Sequence, residues 1–595
     1  MRSYWTRRAR LGVGGLVALA LVATPAALAT HGVPTEVTVG SNDNVFSQNK
    51  QNEPAVAIDA NHPSVLAAGA NDNIDLEGCN VGDDTTCPFT EGVGVTGIQF
   101  SFNSGDAWMQ PTYTGFSARG CLGVPGPNDT CSPTEGGPIG TLPWYHEEGL
   151  VADGDPAVAF GPKPDANGDF DWANGSRLYA ANLTSNFSAD REERTFRGFE
   201  AIGVSYIDGN PLTPAIVNDK NSWSRPVIAS QRQSGTTFAD KEQIWADNAA
   251  SSPFFGNVYV CFAQFRSQPF AAAPLMVTRS TDGGDTWQQR QVSPAHNVPP
   301  TRWGQSGCTI RTDSNGVVYV FYEQFQSPFR FLPPRGTHML VKSFDGGRSW
   351  TRPRSLYQIT DPCYFIDPVI LRCVMDGIAG ARNDLSASPS VDIANGAPTG
   401  TDATNEIVVV WADGGTSLNN EPVKLAYSTN GGDSWSTPVS IQNAGHRGYY
   451  AAPALSPNGT DLYVVYNAFT TPFRTDTTSP RTLIGVVKHA DIGTGGAPTN
   501  WSTLYTSPPG DARGSSQNNL AAEFLGDYVY AAATRTYGAA VWNDARNATV
   551  CPAINAYWSA LRGGPPAPRP APQIDCASTW GNTDIFGGSW ADPTP

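Results

Sequence analysis

The sequence predicts an all-β chain, a β-propeller of four-stranded antiparallel blades, seven by count of its units with six as the alternative. Two repeats and the chain length predict it. An octet with the pattern Ser-x-Asp/Asn-x-Gly-x-x-Trp recurs four times, at 101–108, 280–287, 343–350 and 428–435. Seven units each pair a short first strand with an apolar second strand, and none shows a long helical period. At 595 residues the chain exceeds the ~250–300 at which a single core stops growing. A repeated four-stranded sheet is a propeller blade, and about 4–8 blades enclose a central channel.

From the N-terminus, Arg2, Arg7, Arg8 and Arg10 precede an apolar run from Leu11 to Val22, and Ala27-Leu28-Ala29 is a small-x-small cleavage site. This reads as a secretory signal peptide over 1–29, its run too short to cross a bilayer, followed by one propeller domain over 30–595. Cleavage removes four arginines and no acid, taking the net charge from −16 to −20. That balance argues against a nucleic-acid partner, which would need a basic face. No later segment reaches about 18 uninterrupted apolar residues. The expected mature protein is secreted, monomeric and without a membrane span.

The ten cysteines fit export. Four pairs are close in sequence: Cys79/Cys87, Cys121/Cys131, Cys363/Cys373 and Cys551/Cys576. Cys261 and Cys308 remain, and they are expected to pair across neighbouring units, giving five disulfides. No CxxC with zinc spacing occurs, so neither a metal nor a cofactor is expected. The Pro-rich stretch Gly563 to Pro572, flanked by Cys551 and Cys576, reads as a loop.

Each octet follows an alternating or apolar run and reads as a hairpin turn. Its Asp or Asn bonds the local backbone, its Gly supplies positive φ, and its Trp packs under the next strand. The first strands begin near Glu53, Asp155, Glu242, Ser306, Ser388, Ala452 and Asn519-Leu520. The second strands are Val65 to Gly69, Leu178 to Ala181, Val258 to Phe262, Val317 to Tyr322, Ile407 to Trp411, Leu462 to Tyr466 and Ala539 to Trp542. Blade strands alternate in direction. The octets, joining third strands to fourth, therefore lie on one face. The loops leading into the first strands lie on the other.

Those lead-in loops carry Arg302, Arg382, Arg447 and Arg513 in units four to seven. Converging at a channel mouth, they would bind a carboxylate or sulfate with bidentate geometry. The other reading is four separate loop salt bridges with local acids such as Asp384 and Asp511. Units one to three hold Glu53, Asp155 and Glu242 at the matching positions, with Asp153, Lys241 and Asp247 nearby. Second-strand ends on the same face, among them Asp72, Asn182 and Glu323, suit sugar hydroxyls. Tyr449 and Tyr450 follow Arg447 directly; blade packing is their other reading.

The octet resembles the Asp box of sialidases and related β-propellers. The resemblance implies the propeller fold over nearly all of the mature chain. For activity it implies a carboxylate held by three arginines, here Arg382, Arg447 and Arg513. It further implies a tyrosine nucleophile, Tyr450 or Tyr449, with Glu323 as its base and Asp155 as acid/base. A phenol suits an anionic substrate, which would repel a carboxylate nucleophile. The family's Arg-Ile-Pro signature in the first inner strand is Asn52-Glu53-Pro54 here, keeping the proline and losing the arginine. The expected function is a sialidase-like glycoside hydrolase acting on, or a propeller binding, an anionic glycan or glycoconjugate. The alternatives are a non-catalytic glycan- or protein-binding propeller at a cell surface and a lyase or hydrolase of another polysaccharide.

Overall fold

A computed structural model describes residues 32–41, 50–78, 90–121, 131–188, 194–230, 234–266, 273–295, 303–326, 332–516 and 520–595. The predicted signal peptide lies outside these residues. The chain is a seven-blade β-propeller. From the channel outward, blade 1 is Gln51–Ile58, Leu66–Asp72 and Thr96–Ser101. Blade 2 begins with Leu150–Ala152 and Ala157–Pro162, both paired to Ser176–Asn186, followed by Ala201–Gly209 and Val227–Ile228. Blades 3 to 6 have inner strands Thr237–Ala246, Trp303–Thr312, Ser390–Ile393 and Arg447–Leu455. Blade 7 is Tyr530–Ala533, Tyr537–Asp544 and Asp584–Ala591. Its outermost strand is Thr35–Glu36, paired with Gly587 and Phe586. The two ends of the chain therefore close the ring within one sheet.

Seven apolar layers lie between the blades, and strand alternation builds them. In Ile407–Ala412, Val408 and Val410 pack toward blade 6, while Ile407, Val409 and Trp411 pack toward blade 4. A strand buried on both faces reads as a continuous apolar run, which is why every second strand stands where the sequence placed it. The seventh inner strand does not. It is Tyr530–Ala533, about ten residues beyond the expected start at Asn519-Leu520, because Tyr-Ala-Ala-Ala carries little strand signal.

The four octets form one turn, repeated. Ser101, Ser280, Ser343 and Ser428 each donate through Oγ to the Asn or Asp two residues on, at 2.7–3.0 Å. Each Oγ also accepts the amide of the Gly four residues on. All four start at the end of a third strand, so they share one face, opposite the lead-in loops. Their tryptophans pack into the interblade layers, Trp287 as a buried member of one.

Four of the five expected disulfides are present: Cys121–Cys131, Cys261–Cys308, Cys363–Cys373 and Cys551–Cys576. Cys261–Cys308 staples the second strand of blade 3 to the inner strand of blade 4. Cys79 and Cys87 lie outside the described residues. The Pro-rich stretch is a loop, but a helix the sequence did not suggest, Pro552–Leu561, precedes it inside the same disulfide. Among the described residues no helix is long and apolar enough to cross a membrane.

Candidate functional site

The inner strands of blades 1 to 4 share a feature at their lead-in ends. Pairing with the second strand breaks between Asn52 and Ala55, between Asp240 and Gln243, and between Ser306 and Thr309. The break in blade 2 falls between its two short inner strands. The residue opening each bulge takes a left-handed backbone: Glu53 at φ 56°, Asp155 at 50°, Lys241 at 59° and Gly307 at 60°. Glycine is the residue expected there, and a non-glycine costs on the order of 1–3 kcal/mol. Three successive blades bear that strain on charged side chains. The register also corrects the sequence reading. Lys241, not Glu242, is the equivalent of Glu53 and Asp155, with Glu242 one residue further along the strand.

These bulge residues meet over the channel. Lys241 Nζ lies 2.9 Å from Asp155 Oδ2 and 2.5 Å from Asp527 Oδ2. Asn71 fixes the first two blades: its Nδ2 donates to Glu53 Oε2 at 2.6 Å, and its Oδ1 accepts the Asp155 amide at 2.7 Å. Burial pushes the Glu53 carboxyl well above the usual range, and the adjoining Asp155 charge adds to it. Burial also works to raise Asp155, but the Lys241 ammonium foremost outweighs it and holds Asp155 low. Of the two carboxyl groups, burial and charge thus favour the proton on Glu53 and the charge on Asp155. Asp527 is likewise opposed by burial, yet Lys241 and then Arg382 hold it at about 2.

Arg382 comes from the 361–389 segment before blade 5. Its guanidinium stacks on Phe524, 3.9 Å from the ring centre, a side chain 24% exposed. It faces Asp527 Oδ2 at 3.7 Å and Asp384 Oδ2 at 3.6 Å, and its Nε has no hydrogen-bond partner among the described residues. Lys50 approaches the same ring, its Nζ 5.2 Å from the centre, and donates to the Ser516 carbonyl. Burial, and then Arg382, lower this ammonium to about 7.

Tyr449 donates to the Arg382 carbonyl at 2.8 Å, and Tyr450 approaches Asp527 Oδ1 at 3.5 Å. Burial pushes both phenols well up. Beside them lies a cavity of about 50 Å³ lined by Lys241, Glu242, Tyr450, Asp527 and Tyr528. Both Glu242 carboxyl oxygens are buried without a hydrogen-bond donor among the described residues, and burial raises that group too.

Of the residues expected at the site, the structure thus gathers Glu53, Asp155, Glu242, Arg382, Tyr449 and Tyr450. It does not gather the rest. Arg447 is buried in a bidentate pair with Glu421, Nε–Oε2 3.0 Å, and donates to the Thr471 and Met375 carbonyls. Arg513 is paired with Asp511 two residues away and with the Thr478 carbonyl. Glu323 accepts from Ser388 Oγ at 3.2 Å, and burial lifts it to about 7; no contact joins it to either tyrosine. Arg302 lies outside the described residues. The acid at Tyr450 is Asp527, which no sequence signal marks: it leads into the seventh inner strand, the one whose start the sequence misplaces.

No protein-family model matches the chain, and no curated protein matches it in sequence. Solved structures of similar shape include a Hadza microbial sialidase, at 11% identity and TM-score 0.39, over 73% of this chain and 66% of that one. An α-L-arabinofuranosidase from Fusarium graminearum has 11% identity and TM-score 0.36, over 73% of this chain and 92% of that one. The phage phi92 endosialidase has 10% identity and TM-score 0.39, over 95% of this chain and 70% of that one.

Proposed function

We propose that the chain is an exported glycan-acting propeller that binds an anionic sugar at its lead-in mouth and cleaves it as a glycoside hydrolase of sialidase type. The observation carrying this reading is Arg382, a guanidinium held flat on Phe524 with no hydrogen bond to a described residue, beside the buried Glu53 carboxyl that burial keeps protonated and the charged Asp155. A sugar carboxylate on Arg382 gains charge-assisted hydrogen bonds that no described residue supplies. Asp527 then takes the base role expected of Glu323. The Tyr450 oxygen attacks the anomeric carbon and its proton passes to Asp527, while the leaving oxygen takes the proton of the Glu53–Asp155 pair. Water next cleaves the aryl glycoside, giving one proton to that pair, and Asp527 returns its own to Tyr450.

The test is turnover of fluorogenic sialosides and uronides by the purified protein. Wild type is expected to release fluorophore, Tyr450→Phe to lose turnover but keep binding, and Arg382→Ala to lose both. A second reading, a binding propeller, draws on the deep burial of both phenols, well above their usual range. Tight binding of a sialoside or uronide without turnover establishes that reading. Neither binding nor turnover across the panel overturns both.

A further inference from the structure

We propose that the opposite mouth of the channel, on the octet face, is a second ligand site, for a small monocarboxylate with an apolar body. A cavity of about 260 Å³ opens there, where the C-terminal ends of the inner strands converge. An apolar cavity of ~150 Å³ holds benzene, so this one has room for roughly ten heavy atoms. Its wall is largely aliphatic, with Val56, Ile58, Ile244, Ile393 and Leu455, as small-molecule sites are.

The polar groups of that wall left open are donors; its second arginine, Arg535, is spent on Asp402 and on the Gly396 and Ala397 carbonyls. Arg311 is held in place: its guanidinium stacks 4.5 Å from the Trp245 ring, Nε lies 3.3 Å from Asp392 Oδ1, and Nη1 donates to the Ile310 carbonyl at 2.8 Å. Its Nη2 donates to no described residue. Tyr530 lines the same cavity with a hydroxyl that meets no hydrogen-bond partner among the described residues, and Asn248 with its Nδ2, its Oδ1 already accepting from Asn395 Nδ2 at 2.8 Å. The acceptors are taken. Asp392 receives Arg311 on Oδ1 and the Leu455 amide on Oδ2 at 2.8 Å, and Asn395 Oδ1 receives the Ala397 amide at 3.1 Å. A ligand must therefore bring acceptors. With Arg535 neutralised by Asp402, the one guanidinium with an open donor edge matches a singly charged planar carboxylate better than a dianion. The aliphatic wall takes the rest.

The probes are octanoate and 3-phenylpropionate, titrated calorimetrically into the full-length protein, with octan-1-ol as the uncharged control. Both acids are expected to bind at one site, with octanol at least tenfold weaker. Arg311→Gln and Tyr530→Phe should each weaken the acids about tenfold, and Arg382→Ala on the other face should leave them unchanged. If Arg311→Gln fails to fold, Tyr530→Phe, which removes one oxygen, carries the comparison. The proposal falls if neither acid binds, if octanol binds as well as octanoate, if Tyr530→Phe binds the acids like wild type, or if Arg382→Ala abolishes binding.

Discussion

At the residue scale, the four lead-in arginines have separate fates. Arg447 spends its donors on Glu421 and two carbonyls deep in the fold. Removing it leaves Glu421 as a buried, uncompensated charge, so Arg447→Ala should cost about 3–5 kcal/mol of stability. Arg382 has ion-pair partners at 3.6–3.7 Å and no hydrogen bond to lose. Buried Asp527 keeps Lys241 when Arg382 is lost, so replacing Arg382 should cost clearly less than replacing Arg447, while anionic-glycan affinity falls tenfold or more, at ~1.4 kcal/mol per tenfold. Arg348, within an octet on the far face, should affect neither property. Denaturant melts and binding isotherms on the three alanine variants separate these outcomes. If Arg447→Ala stays stable and weakens glycan binding as Arg382→Ala does, this division of roles is wrong.

At the element scale, the inner-strand bulges are the device that makes the site. Each turns one residue out of the ladder and over the channel, and in blades 1 to 3 that residue is charged. Blade 4 shows the same turn without the side chain. Gly307 has φ 60°, and a Cβ there would stand 2.1 Å from Ser388 Oγ and 2.4 Å from its Cβ. Gly307→Ala is therefore expected to destabilise the fold by roughly 1–3 kcal/mol, read as a lower urea midpoint. An unchanged midpoint would mean that blade 4 does not need the left-handed turn. These bulges also mark where the sequence stopped being legible. Apolar runs such as Val258 to Phe262 and the octets located second strands, turns and faces, because burial and turn chemistry act on local residues. Bulge register is set by pairing across blades. The shift from Glu242 to Lys241, and the arrival of Asp527 from the far end of the chain, had no local mark. Likewise, the loop salt bridge of Arg513 with Asp511 was open as a reading, but nothing in sequence chose it over convergence.

At the scale of the whole molecule, closing seven blades around one channel packs many acids into low-dielectric surroundings. Burial lifts Asp75, Asp247 and Glu323 each to about 7, and pushes Glu242, Asp361 and Glu523 well up. Such a carboxyl keeps its proton in the native state between about pH 4 and 7, where the unfolded chain has already released it. The native state then binds more protons, so stability is full below about pH 4 and is lost as pH rises through 7. Two buried bases act in the other sense, over limited windows. His338, lowered to about 4 by burial, opposes between about 4 and 6.5, and Lys50, at about 7, opposes only above 7. At the acid limit Asp527, held at about 2, contributes stability present above its unfolded value and lost as pH falls through 2. The carboxyls outnumber the bases in the window from 5 to 7, and each contributes up to ~1.4 kcal/mol per pH unit there. The melting temperature is therefore expected to fall by several degrees between pH 5 and 8 at constant ionic strength. Scanning calorimetry of wild type and Asp247→Asn measures it, the variant having the shallower slope because its amide cannot ionise. A melting temperature that climbs from pH 5 to 8 would show that these acids are charged in the folded protein.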